Sequence, residues 1–300
     1  MEVVRIRPRG YCHGVVEAIR LAKQVGAERR GEPVTMLGYL VHNEHATREL
    51  EEAGVRLVAE SDRMKGLARI TEGTVIFTAH GISPQVVEAA RERGLTIVDA
   101  TCSDVTRTHD LVRELTAAGA HVVYIGKRGH PEPAGVMGVA PDRTTLIESI
   151  EDADALEFPP GTRLAVTCQT TLSMWDTQAI IDRLVERFPR IEVHNEICRA
   201  TQERQEAAVL AADDVDCVVV VGSQRSSNSR RLVQVVEELG HRPAHLVDTA
   251  ADLRPEWFQG MHRVGVTSGA STPTQLTRQV IAALEAMPEE AVEAAGTATS

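Results

Sequence analysis

Three cysteines at near-equal spacing are the residues of this chain best suited to hold a metal centre. Cys12, Cys102 and Cys198 stand 90 and 96 residues apart, and each ends a short β-like run and precedes a helix-like one. A helix N-terminus favours thiolate, so three such positions offer a soft-metal donor set. Structural zinc takes four closed ligands, and no fourth cysteine has matching placement. An iron–sulfur cube takes one thiolate per iron, so three cysteines leave one iron open to bind a substrate oxygen and deliver electrons. Cys168 and Cys217 fall outside the pattern and read as packing residues, Cys217 within an apolar strand. An odd cysteine count and the lack of any CxxC pair argue against a disulfide framework, a zinc ribbon and a ferredoxin-type loop.

A second set of polar residues recurs with the same period. His42, His130 and Ser226 begin clusters 28 to 30 residues after the preceding cysteine, and His80, Gln169 to Thr171 and Ser268 to Ser271 follow further apolar runs. His42, His80 and His130, with Ser226, Asn228 and Ser271, supply many hydrogen-bond donors and little fixed charge, which suits a diphosphate in a closed pocket. Glu132 is the only acid in these clusters apart from Glu44. Enclosed by apolar strands, it would have a raised pKa and carry a proton. There is no Walker motif and no GxGxxG, so nucleotide readings are weak.

The elements that must position these groups follow from the apolar runs. Each third of the chain reads as about four strands alternating with helices, the pattern of parallel α/β sheets. Ligands of such sheets bind beyond the carboxyl ends of the strands, where every cluster named above lies. The expected bounds are 1–95 for a first unit, 96–190 for a second and 191–288 for a third, with 289–300 a disordered tail. Packed around a pseudo-threefold axis, three such units bring the cysteines together at a central site.

Composition excludes several classes. The formal net charge of −11 disfavours general nucleic-acid or anionic-membrane binding, so any phosphate site must be local. No apolar run approaches the roughly 20 residues of a membrane span. The amino terminus has no signal-peptide pattern, and a cytoplasmic location is expected.

At this level of detail the chain resembles the 4-hydroxy-3-methylbut-2-enyl diphosphate reductases, or LytB proteins. The matching stretches are PRGYCHGV at Cys12, LVHN at His42, FTAHG at His80, DATC at Cys102, GHPE at His130 and Glu132, QTTLS from Gln169, EICRATQ at Cys198, SSNS from Ser226 and TSGAST up to Ser271. They run in order over nearly the whole chain. The resemblance implies a trefoil of three similar α/β domains with mainly parallel sheets around a central [4Fe-4S] cluster on Cys12, Cys102 and Cys198. It implies a substrate diphosphate held by His42, His80, His130, Ser226, Ser227, Asn228 and Ser271. Glu132 would be the proton source, with Gln169 and Thr170 near the leaving hydroxyl. It further implies two-electron reductive dehydroxylation to isopentenyl and dimethylallyl diphosphate in the non-mevalonate isoprenoid pathway, fed by an external donor such as ferredoxin or flavodoxin. The chain departs from the family pattern at Ser103, usually Pro, which puts the turn or helix start at Cys102 in question, and at Arg230, where Asn is expected. Two other classes compete: an iron–sulfur dehydratase needing no external electrons, and a non-catalytic cluster protein sensing metal or oxygen.

Overall fold

The computed structural model describes residues 1–29 and 31–287. The tail from Glu289 to Ser300 lies outside the described residues. The first stretch runs β1 (Glu2–Arg5), α1 (His13–Glu28), β2 (Val34–Leu37), α2 (Glu44–Glu52), β3 (Val55–Val58), α3 (Arg63–Ala68), β4 (Thr74–Phe77), α4 (Pro84–Glu92) and β5 (Thr96–Asp99). There follow α5 (Ser103–Ala117), β6 (His121–Ile125), α6 (Pro131–Met137), β7 (Thr144–Ile147), α7 (Ile150–Asp154), β8 (Leu164–Cys168), α8 (Met174–Arg187) and β9 (Glu192–Val193). The last stretch is α9 (Arg199–Ala212), β10 (Cys217–Val221), α10 (Ser227–Glu238), β11 (Ala244–Val247), β12 (Arg263–Ser268) and α11 (Thr274–Glu285).

The strands form three four-stranded parallel sheets, ordered β3-β2-β4-β5, β7-β6-β8-β9 and β11-β10-β12-β1. The α/β class and the count of three sheets agree with the strand–helix alternation. The bounds 1–95, 96–190 and 191–288 do not coincide with the sheets. Thr96–Asp99 is an edge strand of the first sheet, Glu192–Val193 of the second, and Glu2–Arg5 of the third. Each cysteine therefore follows the edge strand of one sheet and precedes a new helix. By compactness the chain divides into two bodies. One holds the first two sheets, from residues 13–41 and 46–198; the other holds the third, from residues 1–12, 42–45 and 199 onward.

Burial explains why these runs become these strands. Central strands such as Cys217–Val221 are apolar and buried throughout, whereas the edge strands β1 and β5 keep their end residues exposed. In β10 alternate residues serve two cores: Val219 and Val221 pack with Leu276 and Val280 of α11, Val218 and Val220 with Ala208 of α9 and Leu232 of α10. Each fully buried valine contributes about 1.5 kcal/mol or more.

All three sheets reverse their strand order between the same pair of strands: β2 and β4, β6 and β8, β10 and β12. A crevice opens at the carboxyl ends of such a pair. The polar clusters follow these six strands.

Candidate active site

The threefold pattern continues in the hydrogen bonds of the cysteines. The backbone N–H of Cys12 donates to the Ala270 carbonyl (3.0 Å), that of Cys102 to Ala79 (3.1 Å) and that of Cys198 to Thr170 (3.1 Å). Each acceptor lies in the polar cluster after β12, β4 or β8, so every cysteine is tied to one strand-end cluster. All three are half-buried and immediately precede a helix, α1, α5 or α9. Ser103 opens α5 with Cys102 as its N-cap residue, so replacing the family's proline leaves the helix start in place.

The other two cysteines differ in kind. Cys168 and Cys217 are buried, and desolvation pushes both thiols up to about 12. Packing removes both from solvent, unlike the three half-buried thiols at the helix starts. The Cys168 thiol is nonetheless placed with purpose, donating to Asn195 Oδ1 (3.5 Å), which also accepts the Ile197 N–H (3.2 Å). That Asx turn shapes the chain just ahead of Cys198. Gly14, in the first turn of α1, gives room to Cys102: a Cβ there would overlap the Cys102 Sγ. The missing side chain at Gly14 lets the half-buried Cys102 thiol approach α1 closely.

Glu132 lies in the first turn of α6, whose N-cap is His130. Its carboxylate is 1% exposed and accepts the Thr170 backbone N–H (2.7 Å) and hydroxyl (3.1 Å). Burial raises its pKa to about 7, opposed by the two Thr170 bonds and assisted by Asp104. Gln169 is fully buried; its Oε1 accepts the Lys127 N–H (3.0 Å) and its Nε2 donates to Thr171 Oγ1 (2.9 Å). The reversal between β6 and β8 thus brings together Glu132, Gln169 and Thr170.

His130 Nδ1 accepts the Glu132 N–H (3.2 Å), leaving its proton on Nε2 as a donor. His80 Nδ1 is 3.3 Å from Thr78 Oγ1, and the His80 and His130 rings meet edge to face with centroids 5.5 Å apart. Gly81, at φ +82, turns the chain after His80, and a Cβ there would stand 2.9 Å from Nε2 of the buried His109. His109 is buried on α5 and packs against this turn.

In the other body the reversal between β10 and β12 gathers the serine and asparagine donors. Asn228 Oδ1 accepts the Ala270 N–H (3.0 Å) and its Nδ2 donates to Thr201 Oγ1 (3.3 Å). Ser226 caps α10, its Oγ accepting the Ser229 N–H (3.2 Å). Ser271 Oγ donates to the His42 carbonyl (3.4 Å) and lies 3.5 Å from Ser226 Oγ. Ser227, Asn228 and Ser271 are all buried. Cys12 and His42 belong to this body; Cys102, Cys198, His80, His130, Glu132, Gln169 and Thr170 belong to the other.

Sequence reasoning missed Gly14, Asn195, Thr201 and Arg204. Arg204 is 3% exposed on α9 and donates to the Gly10 carbonyl (2.9 Å), fixing the turn before Cys12. Its available signal was a charged residue at a core position of a helix.

Three parallel sheets with matched thiols, a buried carboxyl and clustered hydrogen-bonding side chains at their strand ends define an α/β protein. The chain belongs to the LytB protein family, whose profile matches residues 3–285. It is 55% identical to the 4-hydroxy-3-methylbut-2-enyl diphosphate reductase of Symbiobacterium thermophilum over 286 residues, covering 95% of this chain and 97% of that one. To the enzyme of the same name from Brevibacillus brevis it is 50% identical, covering 96% and 93%. Among solved structures it is similar to the E-1-hydroxy-2-methyl-but-2-enyl-4-diphosphate reductase of Plasmodium falciparum, with TM-score 0.90, 32% identity and coverage of 97% and 90%. A second structure, of (E)-4-hydroxy-3-methyl-but-2-enyl diphosphate reductase, has TM-score 0.66 at 32% identity, covering 96% of this chain and all of the other. No helix among the described residues is long and apolar enough to cross a membrane.

Proposed function

We propose that this chain is a reductase of 4-hydroxy-3-methylbut-2-enyl diphosphate. It takes up two electrons and two protons, releases the hydroxyl as water, and yields isopentenyl and dimethylallyl diphosphate. A [4Fe-4S] cluster on Cys12, Cys102 and Cys198 supplies, when bound, the stored electrons and a Lewis-acidic iron. The donor set supports this assignment: three half-buried thiols at helix starts, and two buried thiols that stay protonated.

The protein's own groups do the rest. His42, His80, His130, Ser226, Ser227, Asn228 and Ser271 hold the diphosphate through N–H and O–H donors. Glu132 keeps a proton near neutral pH because burial makes its ionised form costly. Thr170 spans Glu132 and the outgoing hydroxyl, and its own hydroxyl can pass the proton on. Gln169 anchors that segment through Lys127 and Thr171. The electrons come from an external donor such as ferredoxin or flavodoxin, and the activity is placed in the cytoplasm.

The observation that carries this reading is a buried carboxyl bonded twice to the threonine of the QTTLS stretch, with burial pushing its pKa up to about 7. The test is turnover of the anaerobically reconstituted protein with reduced methyl viologen, analysing products and dye oxidation together. Loss of the substrate hydroxyl without dye oxidation would favour the dehydratase. A colourless, zinc-containing protein would remove both enzyme readings.

A further inference from the structure

The chain is acidic overall, yet four arginines gather along one edge of its third sheet. Arg5 ends β1 and its guanidinium bonds Glu285 (2.7 Å), the last residue of α11. Five residues on, Gly10 lies against the first residue of that helix: a Cβ at Gly10 would stand 2.7 Å from Thr274 Oγ1. The segment from Ile6 to Gly10 therefore runs alongside α11 from its carboxyl end to its amino end. Arg7 and Arg9 lie on this segment, and Arg278 lies one turn into the helix beside it. Arg5, Arg7 and Arg278 are exposed and Arg9 is half-buried. The pKa of Arg9 is lowered by burial and then by the fields of Arg7, Arg5 and Arg278, as four neighbouring cations require.

Among the described residues, two acids beside this ridge are already engaged. Glu285 pairs with Arg5, and Glu2 with Arg263 (3.1 Å). Arg7, Arg9 and Arg278 are left as a local positive field on a chain of net charge −11. The ridge ends near a thiol: Cys12 is three residues beyond Arg9, at most about 11 Å of chain, and is tied to the end of β12 through Ala270.

We infer that the ridge of Arg5, Arg7, Arg9 and Arg278 is the docking surface for an acidic redox protein that delivers electrons beside Cys12. The inference rests on the reading of the chain as a reductase. Removing one hydroxyl as water consumes two electrons and two protons, so a one-electron carrier must dock and be oxidised twice per turnover. A positive patch attracts an acidic carrier, on a chain whose net charge of −11 otherwise repels one.

The test compares two electron sources for the cluster-loaded protein and its Arg7→Glu, Arg278→Glu double variant. The probes are a reduced acidic ferredoxin and dithionite-reduced methyl viologen. With ferredoxin, kcat/KM should fall at least tenfold in the variant; with the dye it should stay within about twofold. The parent's ferredoxin rate should drop as ionic strength rises from about 20 to about 200 mM, and the variant's should be much flatter. Equilibrium titration with ferredoxin should show a matching loss of affinity. Parental ferredoxin binding and turnover in the variant, or an equal loss with the dye, would overturn the inference. Absence of dye-driven turnover in the parent would instead remove the reductase reading, while the titration still decides docking.

Discussion

Thr170 donates twice to Glu132, its backbone N–H to Oε1 (2.7 Å) and its hydroxyl to Oε2 (3.1 Å), and both residues are buried. In the proposed reaction this pair would hold the proton and hand it on. Glu132→Gln keeps shape and one acceptor but cannot supply the proton. Turnover should fall about a hundredfold or more with the cluster spectrum intact, and Thr170→Val should show a milder loss. In the parent, activity should decline as pH rises through about 7, where the carboxyl ionises. Steady-state pH profiles check both expectations.

The same carboxyl makes stability depend on pH. Its folded-state pKa is raised from 4.5 to about 7, so the folded chain keeps a proton that the unfolded chain releases earlier. Stability should therefore fall as pH rises from 4.5 to about 7, and level off above that. Glu132→Gln has no such proton and should escape the decline. Urea midpoints of parent and variant, compared across this window, measure the difference; parallel pH curves would argue against a buried protonated Glu132.

Serine at position 12, 102 or 198 should abolish or badly damage the cluster, because an alcohol is a poor soft-metal ligand. Serine at 168 or 217 should preserve the visible spectrum. For Cys168 the chemistry is specific: serine keeps a donor for Asn195, whereas Cys168→Val removes it and should cost about 1 kcal/mol and loosen the turn before Cys198. Equal loss of colour at all five positions would defeat the ligand assignment.

Gly14→Ala places a methyl group against the Cys102 sulfur. Alanine favours helix over glycine by up to about 1 kcal/mol, so helix content should hold or rise. Iron bound per chain after anaerobic reconstitution should drop sharply all the same. Full iron loading in this variant would show that the close approach of Cys102 to α1 is not needed.

Alanine at His42, His80 or Asn228 should weaken binding of substrate and of pyrophosphate by about 1–3 kcal/mol for each charge-assisted bond lost. The cluster spectrum should survive. Pyrophosphate inhibition constants for the three variants provide the measurement, and a lack of competition between pyrophosphate and substrate would disprove the site.

The sequence by itself determined the parallel α/β class, the three-sheet count and the residue types at the strand ends. Long apolar runs such as Cys217–Val221 can only be central strands of covered sheets, and the polar residues after them must then lie at carboxyl ends. It also carried the distinction between Cys12, Cys102 and Cys198 at helix starts and Cys217 inside a strand. Strand order, however, is a long-range property. That Thr96–Asp99 completes the first sheet, and Glu2–Arg5 the last, depends on pairing between distant segments that no local pattern encodes. Only the tertiary structure decided that Glu132 is held by Thr170, 38 residues away, in a pocket dry enough to keep its proton. The same holds for Gly14, whose missing side chain matters because Cys102, far along the chain, packs against it. Burial and contact set these properties, and both arise from the packing of segments remote in sequence.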